Sequence, residues 1–571
     1  MRLLEIRRLT GPNLLVDGPA AVIDVAHETG EDPDATCQRL LDRVGVYIGA
    51  LGTDGPTWAR EPSVTRRWSG PKVSGFTSVW PVAIDELYAA CEVVEAAWED
   101  VAAGEDERAV GPTRLAALIA STADERDLPL RAMLEAARAH GVAGVWDDDE
   151  LSVGLGAGSR TWARDDVPSP AVVDWDTIHD VPVALVTGTN GKSTTVRMLA
   201  TILRAADRVP GNSSTDGIVV DGELVETGDW SGPGGGRTVG RDTRVRTMVL
   251  ECARGGLLRR GLPVDRAAVA VVTNIADDHL GEYGIETVDD LALAKLVVAK
   301  AVRESGILVV NADDRLLVQH ARRDARTWWT SVDPDNPVLA MALREHAQVV
   351  TVIDGIITHR TSQLDTPLVA VVDVPATMHG AAAHNVANAL SAAAAAVALG
   401  IPSEAVAAGL RAFVADVANN PGRANRYDVD GVTVLVDFAH NVHGVAAMTQ
   451  LLAALPAARR LVLFSQAGDR TDDALRDLSA AVAGCDADRY IVADVAGYLR
   501  GREPMEVPRR LAAGLVAAGV TQASINQVPD AIVGTAEALR WAVAGDALLL
   551  LVLEHRAEVA DLLRAHGAVE A

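Results

Sequence analysis

The stretch Val183-Ala-Leu-Val-Thr-Gly-Thr-Asn-Gly-Lys-Ser-Thr-Thr195 decides how this 571-residue chain is read. A β-branched, apolar strand ends in a glycine turn that opens directly into a helix, with Lys192 and Ser193 at the helix start. Backbone N–H groups of such a turn converge on one point, and the helix N-terminus adds positive potential there. Lys192 can reach the outer phosphates of a nucleotide while Ser193 offers an oxygen to magnesium. The run Gly188, Thr189, Asn190, Gly191, Lys192, Ser193, Thr194 therefore predicts an ATP-binding loop. A plain glycine turn before a helix is the alternative, and the complete strand–loop–helix context argues against it. The common phosphate-loop pattern has a glycine where this chain has Val186.

A chain of this length predicts roughly three or four domains. Formal net charge is -26, from 78 acidic and 52 basic residues, which argues against a nonspecific nucleic-acid binder. The four cysteines, Cys37, Cys91, Cys252 and Cys485, are scattered without a CxxC pair and suit a reducing compartment. The first residues are too charged for a signal peptide. The longest apolar runs, Ala547 to Leu553 and Leu390 to Leu399, fall short of the roughly 20 residues that span a membrane. The expectation is a cytoplasmic protein with neither nucleic acid nor membrane as partner.

Outward from the loop, the fold reads as α/β with three parts: an N-terminal α+β domain (1–165), a central parallel-sheet domain (166–424) and a Rossmann-like C-terminal domain (425–571). In the first part Leu40 to Leu51 and Ile84 to Val101 read as helices around a Trp-, Gly-, Ser- and Pro-rich stretch of loops and short strands. Ala163 to Asp180 reads as a polar linker. From Val181 on, continuous apolar runs (Val181 to Val186, Thr247 to Leu250, Ala267 to Val272, Ile307 to Val310) read as strands buried on both faces. Helices are expected at Ser193 to Arg204, Thr287 to Arg303 and His384 to Ala398, and a small insertion at Ser331 to Val374. After Pro421-Gly-Arg423 a second set of strands begins: Val432 to Val436, Leu461 to Phe464, Tyr490 to Val492 and Leu548 to Leu553.

Polar residues cluster where these strands end. Glu251 closes one, Asn274 and Asp277-Asp278-His279 follow the next, and Asn311-Ala-Asp-Asp314 follows a third. In an open parallel sheet, ligands bind outside the carboxyl ends of the strands. Singly, Asp277, Asp278 and Asn311 also fit helix caps; together beside a phosphate loop the clusters predict a site.

From about Val181 to its C-terminus the chain resembles the Mur ligase superfamily, and within it the C-terminal half of the cyanophycin synthetases. The resemblance is carried by Gly188-Thr-Asn-Gly-Lys-Ser-Thr194, Thr215-Asp-Gly217, Gly232-Pro233, Glu251-Cys-Ala-Arg-Gly-Gly256 and Asn274-Ile-Ala-Asp-Asp-His279. It continues through Asn311-Ala-Asp-Asp314, His384-Asn-Val-Ala-Asn388, Pro421-Gly-Arg423, Asp437-Phe-Ala-His-Asn441 and Gly468-Asp-Arg470. Val186 is then that superfamily's own spelling of the loop. Gly11-Pro-Asn13 and Leu151 to Gly156 resemble the N-terminal domain of the cyanophycin branch, but the family's His-rich helix is not recognisable there. An ATP-grasp domain would follow in that branch; this chain goes almost at once to the phosphate loop, so one of two ligase modules is expected to be missing.

The resemblance implies an ATP-dependent ligase that activates a carboxylate as an acyl phosphate and couples it to an amino acid or amine. The implied catalytic set is Lys192, Glu251, His279, Lys295 and Arg423, with Ser193, Glu251, His279 and Lys295 as ligands for two magnesium ions. Lys192 would lie on the β- and γ-phosphates and Arg423 on the γ-phosphate. Asn274 would join the nucleotide site, Asn385 and Asn388 would face adenine, and Asp437 the ribose. Lys295 matches a lysine that some members carbamylate, or is a solvated helix lysine as Lys300 is. His440 and Asn441 belong to a motif whose usual Pro is Val442 here. Arg254 and Arg259 would bind the small or peptide-like acceptor, or are plain exposed arginines. Asp469 and Arg470, with Asp472 and Asp473, would meet an incoming amino acid, a basic one by their charge; capping of the next helix fits Asp472 and Asp473 as well. The competing class is a noncatalytic ATP-binding scaffold, and self-association is left open.

Overall fold

A computed structural model describes every residue except 28–31, 59–63, 71–72, 107, 279, 418 and 571. The N-terminal sheet is antiparallel, with β1 (Arg2–Leu9), β2 (Ala20–His27), β3 (Val64–Ser69) and β4 (Ser74–Pro81) in the order β1-β2-β4-β3. Helices α1 (Pro33–Leu51) and α2 (Leu87–Ala103) pack on one face through Leu40, Val44, Tyr47, Val93 and Trp98. Helices α3 (Pro112–Glu125) and α4 (Leu128–Ala139) lead to a small sheet of β5 (Gly144–Trp146), β6 (Glu150–Val153) and β7 (Arg160–Ala163). The stretch expected as a polar linker is instead docked. Val173 and Ile178 are buried against α4 and β6, and Trp175 stacks on His140 with ring centroids 4.4 Å apart. Its few apolar residues are enough to tie it down.

The central region runs β8 (Val183–Thr187), α5 (Lys192–Ala205), β9 (Pro210–Ser214), β10 (Gly217–Val220), β11 (Glu223–Thr227), α6 (Pro233–Arg241), β12 (Thr247–Glu251), α7 (Arg254–Arg259) and β13 (Ala267–Val272). It continues with α8 (Val288–Leu296), β14 (Val302–Asn311), α9 (Arg315–His320), β15 (Thr327–Ser331), α10 (Pro337–Arg344), β16 (Val349–Ile353), β17 (Ile356–Arg360) and β18 (Asp365–Ala370). These strands form one sheet in the order β11-β10-β9-β12-β8-β13-β14-β15-β16-β17-β18. Its middle, from β9 to β16, is parallel; hairpin strands close both edges. Val183 and Leu185 of β8 enter one core while Ala184 and Val186 enter the other, as expected of a strand covered on both faces. Helices α11 (Ala383–Ala398) and α12 (Ser403–Ala412) cover the second face together with α5.

Two expectations are corrected here. Ser331 to Val374 is no insertion: β16 pairs in parallel with β15, burying Val349 and Val350, and β17 and β18 extend the same sheet. The helix expected over Thr287 to Arg303 is α-helical only to Leu296 and runs on as a tighter 3-10 helix over Val297–Ala301, and Val302 already pairs with Ala267 in β14. The β-branched run Val297-Val298 fits that early end of the helix.

The C-terminal domain contains β19 (Asn425–Val429), β20 (Val432–Asp437), α13 (Val442–Ala454), β21 (Arg460–Phe464), α14 (Asp472–Ala483) and β22 (Arg489–Ala493). It ends with α15 (Glu506–Ala517), β23 (Ile525–Val528), α16 (Ala531–Trp541), β24 (Ala547–Leu551), α17 (Arg556–Ala565) and β25 (Val569–Glu570). The sheet order is β23-β22-β21-β24-β20-β19-β25, parallel except for β19 and β25. Among the described residues no helix is long and apolar enough to cross a membrane.

Gly409 marks how closely α12 approaches α5: a Cβ built there would lie 2.3 Å from the Ile202 Cα. In an open helix interior, Gly→Ala gains about 1 kcal/mol. Here the backbone collision outweighs that gain, and Gly409→Ala is predicted to lower stability by about 1–3 kcal/mol. A urea titration checks this; a midpoint that stays level or rises contradicts the packing.

Candidate active site

The phosphate loop leaves β8 at Thr187 and is shaped by two glycines. Gly191 has φ +82°, and a Cβ on it would lie 2.2 Å from Asn388 Oδ1; one on Gly188 would lie 1.9 Å from Thr273 Oγ1. Only glycine allows both the turn and these approaches. The segment after β13 grips the loop. Thr273 Oγ1 and Asn274 Nδ2 donate to the Asn190 carbonyl at 2.6 and 2.9 Å, and Asn190 N donates back to Asn274 Oδ1 at 2.9 Å. Thr189 N donates to the Asn274 carbonyl at 2.9 Å, and Ala276 N to Thr189 Oγ1 at 3.0 Å. Asn274 is thus a clamp on the loop backbone. Lys192 Nζ, at the start of α5, donates to the Thr189 carbonyl at 3.0 Å.

One strand over, Glu251 ends β12 in register with Val186 and is 1% exposed. Ser193 Oγ donates to Glu251 Oε2 at 2.7 Å and Thr215 Oγ1 to Oε1 at 2.8 Å. A carboxylate and two hydroxyls make an oxygen donor set that fits magnesium, which takes few protein ligands and completes its shell with water and phosphate. Among the described residues no three His, Cys, Asp or Glu gather into a metal cage. His279, expected to join Glu251, lies outside the described residues.

Lys295, on α8, is 3% exposed and donates to the Gly188 carbonyl at 2.8 Å. Burial, with Lys192 nearby, pulls its amine well below the ordinary lysine range, toward the neutral form. The solvated-lysine reading is therefore excluded for Lys295. It fits Lys300, which is exposed and paired with Asp17 at 2.8 Å.

Two further segments reach the loop. On α11, Asn388 packs on Gly191 and donates to Asn385 Oδ1 at 3.1 Å, while Asn385 donates to the Ala376 carbonyl at 2.9 Å. From the C-terminal domain, Asn441 and Asn190 exchange side-chain amide hydrogen bonds at 3.2 and 3.1 Å, and His443 Nδ1 lies 3.0 Å from Asn190 Nδ2. Asn441 also caps α13 through Gly444 N at 2.8 Å, so the helix starts directly at Val442. Half-buried His440 has Nδ1 3.0 Å from the Phe438 carbonyl, and desolvation pulls its imidazole down. Asp437 accepts from Ala424 N at 2.7 Å and Ala439 N at 2.6 Å; burial pushes its carboxyl up and Arg423 opposes this. The Arg423 guanidinium sits over Phe438, 5.1 Å from the ring centroid. Arg470 reaches Asp278 at 3.6 Å, an ion pair between the two domains rather than a helix cap.

The other substrate candidates separate. Arg254, the first residue of α7, has a side chain only 11% exposed, pairs with Glu282 and lies over Tyr283. Arg259 is 57% exposed and lies 3.9 Å from Glu5 of β1. Asp469 stays exposed beside Arg470 at 3.9 Å. Asp472 is matched by Arg502 at 3.0 Å and by Arg510, and Asp473 by Arg476 at 2.8 Å. Both sit in the first turn of α14, which Thr471 caps. Their own domain's arginines thus occupy the charge that was expected to select a basic amino acid. Sequence reasoning left out Thr215, although it lies in a quoted motif, and also Thr273, Arg197 and Arg556. Arg197 pairs with Asp216 at 3.0 Å and donates to Asn420 Oδ1 at 3.3 Å.

Comparison with known proteins identifies two domains of the chain. Residues 186–396 match the Mur ligase middle domain and residues 422–551 the Mur ligase glutamate ligase domain. The chain is 36% identical over 360 residues to a cyanophycin synthetase from Geminocystis herdmanii, a match covering 63% of this chain and 40% of that one. It is 28% identical over 372 residues to a UDP-N-acetylmuramyl-tripeptide synthetase from Leifsonia xyli, covering 64% and 69%. A MurF ligase from Thermotoga maritima solved in complex with ADP superposes with a TM-score of 0.45 at 17% identity, over 68% of this chain and 80% of that one. The chain spans about two fifths of the length of the cyanophycin synthetases it matches. With the middle and C-terminal domains both present and the phosphate loop, Glu251 and Arg423 held between them, the chain belongs to the Mur ligase superfamily of ATP-dependent amide ligases, with cyanophycin synthetases among its relatives.

Proposed function

We propose that the protein is an ADP-forming ligase that activates a small or peptide-like carboxylate acceptor as an acyl phosphate and couples it to an amino acid or amine, in the cytoplasm. The observation that carries this is the meeting of Ser193, Thr215 and Glu251 beside Lys192, with Asn441 of the C-terminal domain docked on the same loop. In water an amine and a carboxylate form a salt, so the carboxylate must be activated. Its oxygen attacks the γ-phosphorus and the bond to ADP breaks. The amine nitrogen, having lost its proton, then attacks the acyl carbon, and the C–O bond to phosphate breaks as the amide forms.

The chain's own contribution is positioning and charge. Lys192 and Arg423 meet the phosphates, Asn388 holds the loop from the helix side, and Asp437 faces the ribose. Ser193, Thr215, Glu251 and, by the resemblance, His279 would hold magnesium, which when bound neutralises phosphate charge. A low-pKa amine is the form that adds to carbon dioxide, so the buried Lys295 suits carbamylation, which would give it the charge to hold a second ion. Arg254 meets the acceptor carboxylate. For the incoming amino acid, Arg470 and the exposed Asp469 offer opposite charges to a carboxylate and a cationic side chain, which makes arginine and lysine the first candidates. The cyanophycin synthetase relatives support the same class.

Purified protein with ATP, magnesium, acidic acceptors and a panel of amino acids is predicted to release ADP and phosphate with a new amide detected by mass spectrometry. Lys192→Ala and Glu251→Gln should each lower turnover by at least about 10²-fold, as expected when a group that stabilises transferring phosphate is removed. Silence of the native protein across a broad panel contradicts the ligase reading. For Lys295, enzyme stripped of carbon dioxide is expected to lose activity and regain it with bicarbonate, whereas Lys295→Ala stays inactive. Activity indifferent to bicarbonate means the amine serves unmodified.

A further inference from the structure

Arg556, the first residue of α17, is assigned no role by the site built so far. It follows β24, the parallel neighbour of β20 in the C-terminal sheet, with Leu551 in register with Asp437. The segments leaving the carboxyl ends of these strands therefore emerge side by side, and Val552 N donates to the Asp437 carbonyl at 2.8 Å. This adjacency sets the Arg556 guanidinium over Phe438, 4.7 Å from the ring centroid, on the same ring that Arg423 contacts at 5.1 Å. Arg556 also packs on the residue before Arg423: a Cβ on Gly422 would lie 3.2 Å from Arg556 Nη1. Phe438 N donates to the Gly422 carbonyl at 3.0 Å, so ring, glycine and both arginines form one contact group.

Arg556 and Arg197 are each weakened as bases by burial and by Arg423. Arg423 thus repels both Arg197 and Arg556, opposed by Asp216, Asp437 and, at Arg197, Glu251. Half-buried guanidiniums gathered in this way near a phosphate loop suit a polyanion. A cation held over an aromatic face gains attraction without needing a carboxylate partner of its own, so Arg556 can hold Phe438 without neutralising Arg423.

We propose that Arg556 is a positioning residue for nucleotide binding: through Phe438 and Gly422 it fixes the direction in which Arg423 points at the phosphate chain. This rests on the reading of the loop as an ATP site. It predicts a specific dependence, because a residue that works through Arg423 has nothing to position once Arg423 is gone.

Titration calorimetry with ATP and magnesium on the full chain tests this without knowledge of the acceptor. Arg556→Ala is expected to weaken ATP binding about tenfold, the scale of a buried cation–ring contact, and Arg556→Lys to keep most of the affinity. In an Arg423→Ala background the added Arg556→Ala should change affinity less than about twofold. Equal losses in both backgrounds, or wild-type affinity in Arg556→Ala, overturn the proposal. Phe438→Leu removes the shared ring and should reproduce the loss even if Arg556→Ala folds poorly; wild-type affinity there also overturns it. Lys192→Ala serves as the separate control. If it binds ATP like the native chain, the nucleotide reading itself fails, whereas its loss of binding beside an unaffected Arg556→Ala defeats only the positioning role.

Discussion

The hydrogen bonds that join Glu251 to Ser193 and Thr215 are the constraint on which the rest of the site depends. A buried carboxylate without partners costs several kcal/mol, and this one is almost wholly enclosed. It is tolerated because hydroxyls from two other segments reach both its oxygens at 2.7 and 2.8 Å. That requires β12 to lie directly beside β8, so that the end of one strand faces the helix that starts after the other. The parallel sheet therefore does more than fill a core. Its strand order brings together three segments that are distant in sequence, at the edge where an open α/β sheet binds ligands.

The same edge concentrates positive charge that has to be managed. Lys192 and Lys295 both bond carbonyls of the phosphate loop, at Thr189 and Gly188. Two ammonium groups on one loop repel, and burial together with Lys192 pulls the Lys295 amine well below the ordinary lysine range. Arg197, Arg423 and Arg556 meet a similar problem at the junction with the C-terminal domain, where Asp216 and the Phe438 ring share the compensation.

Much of this was legible in the sequence because strands buried on both faces are written as unbroken apolar runs. Val183 to Val186 and Ala267 to Val272 needed no further context, and the polar residues that follow them fell where strands end. Strand β1 was not legible. Its residues include Arg2, Glu5, Arg7 and Arg8, and only the fold reveals that Arg7 is buried and paired with Asp24 of β2 at 2.6 Å. Ser331 to Val374 was misread because hairpin strands look alike whether they stand apart or add to a sheet edge. Arg556 was hidden for a related reason: nothing local to it records that β24 inserts between β20 and β21. In the other direction, Asp472 and Asp473 looked like a ligand cluster because the arginines that neutralise them lie partly on another helix, α15.

Polar contacts of modest strength join the C-terminal domain to the phosphate loop. The Asn190–Asn441 exchange comprises two neutral hydrogen bonds, each contributing about 0.5–1.5 kcal/mol net. The Asp278–Arg470 pair at 3.6 Å is partly exposed and falls in the range of about 0–1 kcal/mol. Together these polar contacts amount to a few kcal/mol, beside the packing of Ala382, Met378 and Ala381 on the C-terminal core. Under the proposed ligase reading, that scale suits an acyl phosphate that must be shielded from water while the amine attacks, and an ADP that must leave afterwards. A tighter latch would protect the intermediate and trap the product. Neutral amides at the loop tip, rather than a buried ion pair, join the two domains at this point.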